Sequence, residues 1–199
     1  MGIGFRSYKM MEMRKRLLKA KVKGYFTEGK LRIDSSFTLL VPYYLDKARH
    51  NLETASVLLQ LSENIELKKR AKIREDYYAY DWVISAGYYA MFHAATAALG
   101  AIGIRAETHE ILIEGLEYHF VYKEKIMESE DIERLNESKR LEERYVNRMW
   151  ATKSRRVTAQ YKAEKTIAKE NAEKTYSNAV EFVDRLSNLV SEIDKLSSK

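Results

Sequence analysis

Between Trp82 and Ile104 the chain carries no Asp, Glu, Lys or Arg, although these four types make up 32% of the protein. A stretch that is apolar on every side is either enclosed by other elements or lies in a membrane. The spacing inside it favours enclosure. Ala86, Ala90, Ala94 and Ala98 recur every four residues, which on a helix makes a ridge of small side chains that a second helix can approach closely. Ile84, Tyr88, Phe92 and Leu99 supply bulk on another line. Asp81, Ser85, Tyr89 and His93 form a third row at the same spacing, continued by Thr96. As a bilayer span the run is poor: it is rich in Ala and Gly, it stands alone, and His93 falls near its middle, where an ionisable group is costly. The expectation is the central helix of a helical bundle, with no membrane association and one polar row to be explained.

The rest of the composition agrees with that class. One proline and eight glycines in 199 residues, among abundant Ala, Leu, Glu, Lys and Arg, favour helix over a sandwich of many short strands. The expected fold is therefore all-α. Absence of cysteine excludes disulfides, thiolate zinc sites and Cys nucleophiles; it fits a reducing, cytoplasmic setting. Two glutamines, no cysteine and plentiful charge fit a thermophilic source. The net charge of +6 is uneven. Residues 1–32 hold ten basic against two acidic side chains, or +8, while the remainder holds 25 against 27, or −2. The basic character belongs to that leader, so it says nothing about nucleic-acid binding by the rest.

The chain divides on this reading into a basic leader over 1–32, read as a solvated arm, and a single helical domain over 33–199. A short basic helix is expected over 9–23, broken by Gly24 and Gly29. Residues 30–41 look extended and lead into Pro42, which suits a first helical turn. Leu45, Ala48, Leu52, Ala55 and Leu59 give a helix to about residue 62; a charged connection precedes the central helix, expected over 76–100. Gly100 and Gly103 mark its end. Thr108 is placed as the N-cap of a third helix, with Glu107 and Glu110 favourable beside its N-terminus. Ser129 or Asp131 opens a charged helix, 151–161 reads as a break, and Tyr176 to Ile193 carry the clearest apolar stripe.

Familiar catalytic patterns mostly fail. His109-Glu110 begins like the zinc-protease H-E-x-x-H, but the fifth position is Ile113. His50, His93 and His119 show no ligand spacing with carboxylates, no phosphate-binding glycine loop occurs, and no G-x-S-x-G elbow is present. No metal or cofactor is expected. Glu142 and Glu143 sit among basic residues and are read as solvent-facing. Two candidate sites survive. One is a polar cleft walled by Asp81, Ser85, Tyr89 and His93, joined by His109; the simpler reading is a core histidine bonded to a neighbour. The other is basic: Lys153, Arg155 and Arg156, followed by Gln160 and Tyr161. Arginines with a nearby aromatic suit phosphate and base contacts, and a plain charge cluster at a helix end is the simpler reading.

The segments GYYAMFHAATAALGAIGI and THEILIEGL, with KARHNLETASVLL before them and RRVTAQY and AVEFVDRL after, resemble the HEPN domain family in its small stand-alone prokaryotic and archaeal members. The resemblance covers roughly residues 42–192. It implies an antiparallel up-and-down four-helix bundle with extra short helices, often a homodimer. Many members are ribonucleases that use an Arg followed, after four to six residues, by a His. Others partner a minimal nucleotidyltransferase in toxin–antitoxin pairs or bind nucleotides. The family's Arg falls near Arg155 or Arg156, but the corresponding later positions are Gln160, Tyr161, Lys162 and Ala163, none of them His. RNA cleavage without a metal needs a group near neutral pKa to move the 2′-hydroxyl proton, and tyrosine at about 10 is a poor one. The resemblance thus implies a nucleotide- or RNA-binding interaction domain with a degenerate motif. Its alternatives are a ribonuclease using His93 or His109, and a structural oligomer joined through the Ala ridge and Tyr face.

Overall fold

The computed structural model describes residues 2–151 and 158–197, with side chains described over 12–144, at 166 and over 168–196. Within these the chain is mostly helical: α1 (Gly2–Thr27), α2 (Val41–Glu63), α3 (Ile65–Arg70), α4 (Tyr80–Ala101), α5 (His109–Leu116), α6 (Ser129–Ala151) and α7 (Thr158–Ser197). A 3-10 turn over Ser35–Leu40 leads into α2, and a π-helical stretch over Glu117–Lys123 extends α5. Strands β1 (Leu31–Ile33) and β2 (Ile104–Ala106) pair antiparallel in a two-stranded sheet.

Local chemistry sets most boundaries. Pro42 sits in the first turn of α2, where its missing N–H is no loss. Asn64 ends α2 and caps α3, accepting from the backbone N–H groups of Glu66 and Leu67. The Thr108 hydroxyl accepts from Ile111 N–H at the start of α5, as its position predicts. Gly103, at φ +68°, closes α4 in the left-handed region, and its N–H donates to the Gly100 carbonyl.

The enclosure of α4 is as expected. Ala86, Ala90, Ala94 and Ala98 are all buried, and Ile84, Tyr88 and Leu99 are at most 1% exposed. Helix α4 packs on α2, α6 and α7. Against α2 it runs in the opposite direction: Tyr80 donates to the Glu63 carboxylate at one end, while Gly100 meets Phe37 and Val41 at the other. Its first half clusters with Ala168 and Ala172, and its second half shares a core with Phe182, Val183, Leu186 and Leu189. Helices α4 and α7 therefore run the same way. They meet tightly at Gly87, where an added Cβ would lie 2.9 Å from Thr175 Cγ2. Small residues every fourth position let two uncharged backbones meet there. The Ala ridge is thus consumed inside one chain, and a dimer contact through it, as sequence suggested, is excluded by burial.

Several other expectations need correction. Gly24 does not break α1, which continues to Thr27 and closes at Gly29, φ +71°. The leader is not simply a solvated arm. Leu18 and Val22 are 4% and 2% exposed and belong to the main core, and Arg14 forms two hydrogen bonds with the buried Glu117 carboxylate at 2.6 and 2.7 Å. Residues 30–41, read as extended, are strand only over β1 and then turn as a 3-10 helix. The central helix begins at Tyr80 rather than near 76. Among the described residues no helix is long and apolar enough to cross a membrane.

Candidate functional site

The polar row of α4 is the one face of that helix that is not enclosed. Tyr89 is 38% exposed, and Asp81, Ser85 and His93 are half-buried. The structure brings part of the expected cleft together. The start of α5 delivers His109 against α4, so that its ring lies 3.9 Å from the Phe92 ring between centroids and 6.3 Å from that of Tyr89. His93 stands between Tyr89 and Tyr44 of α2, with centroids at 6.2 and 6.0 Å. Tyr88 OH lies 2.7 Å from His109 Nδ1. Six aromatic or imidazole rings thus gather where α4, α5 and Tyr44 of α2 meet.

Asp81 and Ser85 do not join them. They lie two turns and one turn before Tyr89 on α4, and among the described residues no hydrogen bond or ring contact ties either to the histidines. Thr96 turns inward and donates to the Phe92 carbonyl, 2.8 Å away. Lys153, Arg155 and Arg156 lie outside the described residues, as does the side chain of Tyr161.

Electrostatics around the ring cluster are mixed. Burial holds His93 below the usual histidine range, helped by Lys47 and by His109 itself. Burial lowers His109 too, and Lys139 adds to the effect while Glu110 and Glu143 oppose it. Lys139 reaches from α6 to bond Glu110 and lies 3.5 Å from Glu143. Its hydrogen bond keeps the Glu110 carboxyl down at about 2. Burial works against the charge on Lys139, but its acidic partners outweigh it and its pKa is raised. Glu142, expected in solvent, is half-buried, and burial with the field of Glu143 pushes its carboxyl up. Burial likewise raises the Tyr88 phenol, assisted by the fields of Tyr89 and the three carboxylates. Tyr88 therefore stays protonated, and its hydroxyl shares a hydrogen bond with His109 Nδ1, as donor or acceptor according to the imidazole tautomer.

Chemically this is a set of π faces with two neutral imidazoles and a negative rim. His93 Nδ1 is buried without a hydrogen-bond partner. Among the described residues no group of three or more His, Asp or Glu side chains converges to hold a metal ion. Sequence reasoning placed Tyr89, His93 and His109 in the site but missed Tyr44, Phe92 and Lys139. Phe92 was visible only as bulk beside His93, and nothing in the local sequence of α6 marks Lys139. Compared with known proteins, the chain matches no family model, no curated protein and no solved structure.

Proposed function

We propose that the chain is a HEPN-like domain that binds a nucleotide or single-stranded RNA without cleaving it. In this reading α2, α4, α6 and α7 make an antiparallel up-and-down bundle, two copies form a homodimer, and a minimal nucleotidyltransferase is the partner in a toxin–antitoxin-type pair. The observation that carries the binding reading is the aromatic–imidazole cluster of Tyr44, Tyr89, Phe92, His93 and His109, with Tyr89 open to solvent. Ring faces stack on bases whatever the sequence, for about 1–3 kcal/mol per base. The negative rim of Glu110, Glu142 and Glu143 suits a base better than a phosphate at this spot, so phosphate contacts fall to cations elsewhere, Arg155 and Arg156 among them. Binding rather than cleavage is supported by protonation. Cleavage by paired imidazoles needs one of them as a protonated acid near neutral pH, and both are held below the usual range.

Fluorescence anisotropy with labelled single-stranded RNA, together with nucleoside monophosphate titrations, tests this. Tyr89→Ala and His109→Ala should each weaken binding roughly fivefold or more. Arg155→Ala with Arg156→Ala should flatten the salt dependence. Absence of salt-sensitive binding removes the reading. The proximity of His93 and His109 favours a second one, a metal-independent endoribonuclease. It requires cleavage by purified protein that is lost in His93→Ala or His109→Ala.

A further inference from the structure

The outer face of the two-stranded sheet carries an arrangement that folding alone does not favour. Arg32 of β1 and Arg105 of β2 are direct cross-strand partners. Like charges directly opposite on a sheet are destabilising. Their neighbours in register, Leu31 and Ile104, are buried, so the arginines project from the exposed face. Both guanidinium groups are held in place. Arg32 Nε donates to the Gly29 carbonyl at 2.6 Å, and the Arg105 guanidinium lies 5.8 Å from the Phe37 ring centroid. Among the described residues neither has a carboxylate within ion-pair distance, although the pair lines a hollow of about 140 Å³ with Lys30, Ala106 and Glu107.

The nearby acids are mostly engaged. Glu28 pairs with Lys30 at 2.6 Å, and Asp34, which lies in the field of Arg105, accepts from the N–H and hydroxyl of Ser36. Only Glu107 brings a carboxylate into the hollow, against three cations. Anchored arginines with free terminal N–H groups match the oxygens of a tetrahedral oxyanion, with two donors from each fork.

We propose that Arg32 and Arg105, with Lys30, form a binding site for a phosphate group, either free phosphate or a phosphomonoester. The site is built from elements other than the ring cluster and does not rest on the function proposed above. A bound dianion cancels the cross-strand repulsion, so ligand and sheet stabilise each other. Glu107 opposes the ligand and sets its affinity.

Calorimetric titration at low ionic strength in a phosphate-free buffer tests this, with inorganic phosphate, a nucleoside 5′-monophosphate and the uncharged nucleoside as separate arms. Phosphate should bind, the double variant Arg32→Gln/Arg105→Gln should weaken it roughly tenfold or more, and Glu107→Gln should tighten it. The double variant should unfold no earlier than the wild-type chain in phosphate-free buffer, since repulsion is removed. Binding of the monophosphate but not of inorganic phosphate assigns the site to phosphomonoesters. No binding in the millimolar range by either, or equal binding by the double variant, overturns the proposal. Nucleotide binding that is lost in Tyr89→Ala yet untouched by the arginine changes sinks this site alone and leaves the ring-cluster reading standing.

Discussion

Tyr88 and His109 meet through a 2.7 Å hydrogen bond to Nδ1, and Phe92 covers the same imidazole. One bond therefore ties the tilt of a ring that sits at the first residue of α5 to the phenol of α4. Tyr88→Phe removes the hydroxyl while keeping the ring. Stability should fall by about 1 kcal/mol in urea unfolding. The His109 proton resonance should titrate at a different pH from that in the wild-type chain, because the bond weights the two protonation forms unequally. An unchanged titration curve would mean that the phenol bonds both forms alike.

The histidines also set an acid limit. Burial lowers the folded-state pKa of His93, His109 and His119 from 6.5. Below 6.5 the unfolded chain then binds more protons than the folded one. Their contribution is complete above about pH 6.5 and is lost as pH falls through the depressed folded-state values. Urea midpoints at pH 7.5 and pH 5.5 should differ, with the lower stability at pH 5.5. The Glu110 carboxyl, held down at about 2, titrates beneath this window. A flat profile would show that the rings gain enough water to charge in place.

Gly87 is the most closely covered of the glycines from Gly24 to Gly115. In Gly87→Ala the new methyl would meet Thr175 Cγ2 at 2.9 Å. Overpacking of this kind costs about 1–3 kcal/mol, more than the roughly 1 kcal/mol that Ala returns in helix propensity. Adding Thr175→Ser, which removes the offending methyl, should recover most of the loss in thermal unfolding. If the double variant is no better than the single one, the strain lies elsewhere.

Glu117 is 3% exposed, and Arg14 is the cation bonded to both of its oxygens. Arg14→Ala leaves a buried carboxylate without its cation, with only Tyr122 still hydrogen-bonded to it, and should cost about 1–3 kcal/mol. Because Arg14 itself is largely open to solvent, the lower half of that range is expected. Combining it with Glu117→Gln should restore stability in part. Proteolysis near residues 23–30 should quicken in Arg14→Ala and slow again in the double variant.

How far the sequence foretold this structure depends on the range of the interaction. The enclosure of α4 was legible because charge is absent over 23 residues and alanine returns every fourth position, both properties of one helix. Thr108 as a cap was legible because capping is decided within three residues. The docking of α1 was not, since Arg14 and Glu117 are 103 residues apart and ten cations mask an apolar face. A signal was there in Leu18, Val22 and Tyr25, spaced at four and three. The sheet was missed because three-residue strands are too short to display alternation. Half of the ring cluster was found because Tyr89 and His93 share a helix face. His109 was also placed there, whereas Tyr44 and Lys139 reach the cluster from α2 and α6, and no local pattern marks either.

The parallel contact between α4 and α7 has a consequence for synthesis. The uncharged face of α4 is complete by residue 104, but the partners that cover it lie at 168–190. At ordinary translation speeds that gap lasts on the order of ten seconds. For that time the most apolar surface of the chain lacks its α7 cover and has only α2, α5 and α6 to shield it. Until its last long helix emerges, the nascent chain leaves part of this apolar surface uncovered, a state in which partly folded chains are prone to aggregate.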